Sequence, residues 1–215
     1  VRVGGGKTLA DALLEGLPNT AVAAIHFVRR GFSVGGAGLL ARVLALAPVG
    51  SDNGALCELA GELLQRGGDC FGRAGNEATP LHLACALGHA ALVEDLLLRG
   101  SDPNARDTRA RLPLHYALKS APNHATAIVK LLIRYGADPE RAAASGETAL
   151  GLVLSRADRE LNYWLNWPRW RLPGRALVAA DLPAAAAAGD VDAVDKLLAL
   201  GFAVDSVDSQ GASAL

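Results

Sequence analysis

The residue types that could do chemistry gather in three places. His82, Cys85 and His89 put two imidazoles and a thiol within one short stretch of chain, and these are zinc-ligand types. Gly4-Gly5-Gly6-Lys7-Thr8 ends like a phosphate-binding loop. Ala176-Leu177-Val178-Ala179-Ala180 followed by Asp181 resembles a strand that ends in a metal-binding acid. Each falls short on context. A zinc site needs its ligands to converge on one tetrahedron, and Cys57, Cys70 and Cys85 lack metal-ligand spacing. A phosphate loop needs a glycine five residues before Gly6, where Val1 stands, and a preceding strand, which is not expected here. Asp181 falls by spacing in a turn before Leu182. No Ser/His/Asp set or carboxylate pair stands out. The expectation is therefore no catalytic residue, no cofactor and no metal.

The elements that hold these residues explain them better. Thr79-Pro80 starts a helix, with Thr79 as side-chain cap and Pro80 where its missing N–H costs nothing. Leu81, Ala84 and Cys85 fall on one face. Gly88-His89 breaks the helix, and Leu92, Val93, Leu96 and Leu97 form the stripe of the next one, which Gly100 ends. One interval recurs along the chain. Gly67 to Leu81, Gly100 to Leu114, Gly136 to Leu150 and Gly201 to Leu215 are each fourteen residues. A fixed interval across unlike sequences marks a stacked array of repeats.

Thr79-Pro80-Leu81-His82-Leu83-Ala84, Gly88-His89, Val93, Leu96-Leu97 and Gly100-Ser101-Asp102 resemble the ankyrin-repeat consensus position by position. The resemblance implies an all-α solenoid of stacked antiparallel helix pairs joined by hairpin loops. It also implies structural posts for the histidines: His82 and His115 bonding between neighbouring repeats, His89 sitting in the turn. The expected division is one domain over 1–215 with about six repeats. Residues 1–34 and 35–69 are degenerate, and 75–104 is the best repeat. In 108–140 the turn is lengthened by Pro122-Asn123-His124. Residues 143–181 are irregular, with a Trp-rich insertion. Residues 181–205 recover the register, and another repeat begins at 208–215.

Composition bounds the rest. Of 215 residues 51% are hydrophobic, enough for a core, and the formal net charge is −1. No global attraction to nucleic acid is expected from that balance. No run is long and apolar enough to span a membrane. Buried-looking cysteines suit the cytoplasm or another reducing compartment. Arginine far outnumbers lysine, which suggests a GC-rich, bacterial genome. The chain has no methionine, and Ala214-Leu215 stands where a further helix would start, so a piece of a longer protein is expected.

The resemblance places partner contacts at the hairpin tips and the ends of the first helices. Carried onto this chain, these include Asn76, Ala78 and Leu87, then Thr108, Arg109, Arg111, Lys119 and Arg156. Arg106 joins them in a basic stretch that suits an acidic protein surface. The other reading is a solvated edge neutralised by Asp102 and Asp107. Trp164, Trp167 and Trp170 are interleaved with arginines, and Trp167 and Trp170 are candidate contacts. The other reading is that they fill a gap in the stack by burial. The expected function is a non-catalytic, monomeric protein–protein interaction scaffold. The alternative is a regulatory or targeting module of a larger enzyme or effector.

Overall fold

The structure is a computed structural model that describes residues 2–3, 7–8, 38–45, 54–120, 122–170 and 174–214. The degenerate helices expected around Leu9–Gly31, the loop Pro48–Asn53 and Leu215 lie outside the described residues.

Ten helices follow in pairs among the described residues. The first members are α1 (Leu39–Ala45), α3 (Pro80–Leu87), α5 (Pro113–Ala117), α7 (Ala149–Arg156) and α9 (Asp181–Ala187). The second members are α2 (Gly54–Gln65), α4 (Ala90–Leu98), α6 (Pro122–Arg134), α8 (Arg159–Leu165) and α10 (Val191–Ala199). Helix α3 packs between α1 and α5, while α2, α4, α6 and α8 pack in sequence, so two rows of helices share one core. Leu81, Leu114, Leu96, Leu132 and Leu182 are all fully buried in it. Small helices of Ala and Leu can stack this closely because their side chains are short and their rotamers few.

The closing glycines set the period. Gly67, Gly100, Gly136 and Gly201 have φ of 80°, 85°, 89° and 90°. This left-handed conformation turns the chain out of each second helix and suits glycine above all other residues. A hairpin then follows, closed each time by the same bond. The N–H of Ala74, Asp107, Ala143 and Asp208 donates to the carbonyl of Ala78, Arg111, Glu147 and Ala212, at 2.9–3.1 Å.

Three local expectations are corrected. A strand does precede Gly4: β1 (Arg2–Val3) pairs antiparallel with β2 (Lys7–Thr8). Strand meets strand there, so the strand–loop–helix order of a phosphate loop is still not met. Pro122-Asn123-His124 does not lengthen the turn; it forms the first turn of α6, which has 13 residues against 9 in α4 and α10. Proline is suited to that opening position. Finally, the expected hydroxyl cap at Thr79 gives way to an imidazole. Nδ1 of His82 accepts from the Thr79 N–H at 3.2 Å, with the Thr79 hydroxyl 2.9 Å from the same nitrogen.

Candidate protein-binding site

The histidines and cysteine that suggested a metal are consumed by the scaffold. Nε2 of His82 donates to the Arg111 carbonyl at 3.0 Å while Nδ1 accepts, so both ring nitrogens are engaged. His115 repeats the arrangement one pair later, with its Nδ1 on the Leu112 N–H and its Nε2 on the Glu147 carbonyl. Burial disfavours the charged imidazolium and pushes the His82 pKa down to about 4. Nδ1 of His89 accepts from the Leu92 N–H and caps α4. Cys85 is fully enclosed, and burial drives its thiol well above the usual range.

The hairpin tips form a continuous edge. The Thr108 N–H donates to the Asn76 carbonyl at 3.1 Å, and the Ala144 N–H donates to the Arg109 carbonyl at 2.9 Å. Three successive tips are thus laced together by backbone bonds. Asn76, Thr108, Arg109, Arg106 and Lys119 are exposed, and Leu87 is half-buried. Arg106, Arg109 and Lys119 carry no ion pair among the described residues.

Arg111 behaves otherwise. Its Nη2 lies 2.7 Å from Oδ2 of Asp107, and its Nε–H donates to the same oxygen at 2.8 Å. Tyr116 donates its hydroxyl to that oxygen at 2.7 Å, and the N–H groups of Arg109 and Arg111 donate to Oδ1. The guanidinium also stands 4.9 Å from the Tyr116 ring centre. Burial works against the Asp107 carboxylate, but the bonds from Tyr116, the Arg111 and Arg109 N–H groups and the Arg111 guanidinium outweigh it and bring its pKa to about 2. Burial and the neighbouring carboxylate push the Tyr116 phenol up to about 12. Arg111 is therefore tied into the scaffold. Arg156 is exposed but donates to the Leu118 carbonyl at 2.8 Å, reaching back across a helix pair.

Two more expected contacts move inward. Ala78 is fully buried, its N–H held by Oδ1 of Asn76. Trp167 is only 9% exposed, and its indole N–H donates to the Trp164 carbonyl at 2.9 Å. Trp170 is half-buried. The reason is the buried lysine of α10. Nζ of Lys196 donates to the Asn166 carbonyl at 2.5 Å and to Asp192 at 2.6 Å, and lies 4.8 Å and 5.1 Å from the Tyr163 and Trp167 ring centres. Lys130 of α6 lies 4.3 Å from the Trp164 ring centre on the other side. The Trp-rich segment is bolted between two helices by cation–π contacts.

Paired helices, left-handed closing glycines and laced hairpin tips define a helical-repeat protein. Residues 49–143 match the family model of ankyrin repeats in three copies, so this stretch of the chain carries ankyrin repeats. It is 48% identical over 59 residues to the ADP-ribosylation factor GTPase-activating protein AGD4 of Arabidopsis thaliana, covering 27% of this chain and 7% of that protein. It is 31% identical over 108 residues to ankyrin repeat and SOCS box protein 16 of Mus musculus, covering 46% of this chain and 23% of that protein. The chain thus spans less than a quarter of either relative. An ankyrin repeat domain from Acinetobacter baumannii superposes with a TM-score of 0.59 at 24% identity, over 77% of this chain and 83% of that one. Among the described residues no helix is long and apolar enough to cross a membrane.

Proposed function

We propose that this chain is a non-catalytic scaffold that binds a protein with an acidic surface along its hairpin tips and the adjoining ends of the first helices. Ankyrin repeats are in general protein–protein interaction modules, and the family match supports that broad class here. The observation that carries the finer reading is the backbone lacing of Asn76 to Thr108 and Arg109 to Ala144. It fixes exposed Arg106 and Arg109 on a rigid edge, so little ordering cost attends binding. Arg111 supports that edge from beneath, and Trp167 belongs to the core. The domain division over 1–215, the monomeric state and the reducing compartment remain parts of the same proposal.

A second reading has its own support. The similarity to AGD4, a plant protein named as a GTPase-activating protein, fits a regulatory or targeting module within a larger enzyme. Site-specific photocrosslinking tests the first reading. A photoreactive side chain at Thr108 should capture a partner, and one at exposed Leu98 of α4 should not. Equal capture at both positions would remove the hairpin edge as the binding site.

A further inference from the structure

One junction in the stack lacks a latch that its neighbour has. Asn104 sits four residues after the closing Gly100, and its carboxamide reaches the next hairpin. There Nδ2 donates to the Gly136 carbonyl at 2.8 Å, and Oδ1 accepts from the Asp138 N–H at 2.9 Å. Phe71 holds the equivalent place, four residues after Gly67. Its backbone is held alike: the Phe71 N–H donates to Oδ1 of Asp69 at 2.9 Å, as the Asn104 N–H donates to Oδ1 of Asp102 at 2.8 Å. Phenyl has no donor or acceptor to offer, and it turns out to solvent at 62% exposure.

A crevice is left behind the ring. Its volume is about 120 Å³, lined by Cys70, Phe71, Arg73, Thr79, Ser101 and Asp102 among others. Ser101 is 6% exposed, and its hydroxyl has no hydrogen-bond partner among the described residues. A buried polar group in that state has lost its hydration without a replacement bond, and a bound polar group would supply one. Gly100 and Asp102 stand in this hairpin where Gly136 and Asp138 stand in the next. By register, the Gly100 carbonyl and the Asp102 N–H correspond to the acceptor and donor that the Asn104 side chain engages one repeat later.

We propose that this crevice is a subsite for a primary carboxamide, the side chain of an Asn or Gln on a bound polypeptide. The amide would take the place that Asn104 fills at the next junction, with its N–H on the Gly100 carbonyl and its oxygen on the Asp102 N–H. The Ser101 hydroxyl adds a further partner, and the exposed Phe71 ring packs on the methylene stem. The binding reading above supplies only the source of the carboxamide; the chemistry of the crevice stands without it.

The test is an amide-resolved NMR titration of the chain with N-acetyl-asparagine N-methylamide, beside the N-acetyl-alanine analogue. The Asn probe should give saturable shifts at the Ser101 and Asp102 amides, and the Ala probe should not. Phe71→Asn supplies the carboxamide from within and should abolish the shifts while raising the melting temperature. Ser101→Ala keeps the fold, since Ala137 is fully buried at the equivalent place, and should weaken the shifts at least several-fold. No saturable shift with the Asn probe, or equal shifts with both probes, would overturn the subsite. So would a Phe71→Asn variant that folds and still responds. None of these outcomes depends on Arg106 or Arg109, so failure here and failure of the hairpin edge are separate results.

Discussion

Asp107 and Arg111 form an ion pair of 2.7 Å in which the carboxylate is fully enclosed and the guanidinium is 22% exposed. The pair divides the basic stretch of this chain in two. Arg111 is held inward, and Arg106, Arg109 and Lys119 are left facing solvent. It also sits at a junction, because the Arg111 carbonyl receives the His82 ring from the preceding helix pair.

Breaking the pair should cost stability. Asp107→Asn leaves a guanidinium without its counter-charge, and a loss of about 3 kcal/mol at pH 7 is expected in urea unfolding. The acid profile gives a sharper check. His82 has its folded pKa lowered from 6.5 to about 4, so its contribution is full above pH 6.5 and is lost as the pH falls toward 4. Asp107 is lowered from 3.8 to about 2, so its contribution is present above pH 3.8 and is lost on falling toward 2. Stability should therefore decline in two phases on acidification. Asp107→Asn should remove the lower phase and keep the upper one.

The closing glycines are not equivalent. A Cβ on Gly136 would press on the Arg175 carbonyl carbon and lie 2.7 Å from the Ala176 nitrogen, whereas one on Gly100 meets nothing within 4 Å. Both have positive φ, which alone costs about 1–2 kcal/mol for an L side chain. Gly100→Ala should lower stability by about that amount, and Gly136→Ala by clearly more. Gly136→Val should be worse still. Equal melting temperatures for the two alanine variants would contradict the packing of residues 175–176 on Gly136.

Lys196 holds the Trp-rich segment. It is 1% exposed and bonded to Asn166 and Asp192. Lys196→Ala should destabilise the chain by about 2–3 kcal/mol through the cavity it leaves beside the Tyr163 and Trp167 rings, since the remaining Asp192 side chain is 44% exposed and is solvated on its own. All three tryptophans lie within 164–170, so intrinsic fluorescence reports on this segment alone. A red-shifted emission is expected in the folded variant. An unshifted spectrum would show that the segment is held by other contacts.

The helix pairs were legible because glycine spacing and apolar stripes are local signals that the tertiary fold reinforces. Gly100 and Gly136 take the left-handed turn that their position after a leucine stripe implies, and His82 and His115 make the junction bonds that the family resemblance implies. The candidate site was less legible. Asp107 and Arg111 are four residues apart in sequence, yet only the hairpin closure and Tyr116 decide that Arg111 turns inward. Trp167 depends on Lys196, nearly thirty residues away, and no local pattern links them. Pro122 reads equally as a turn residue or as the start of a helix, and packing of α6 beside α4 and α8 selects the helix. The vacant latch at Phe71 was hidden in plain view, since an Asn-to-Phe exchange between equivalent positions has meaning only once the Asn104 bonds are known.

The direct measurement is the affinity of the captured partner for three versions of the chain. These are the unaltered sequence, Arg106→Glu/Arg109→Glu, and Arg99→Glu, which makes a charge reversal of the same kind at the exposed end of α4. Melting temperatures should match across all three, because none of these side chains is buried. The double variant should bind at least about tenfold more weakly, as reversed charges at a steered interface do, and Arg99→Glu should bind as the unaltered chain does. Equal affinity for all three would contradict the hairpin edge as the site where this protein meets its partner.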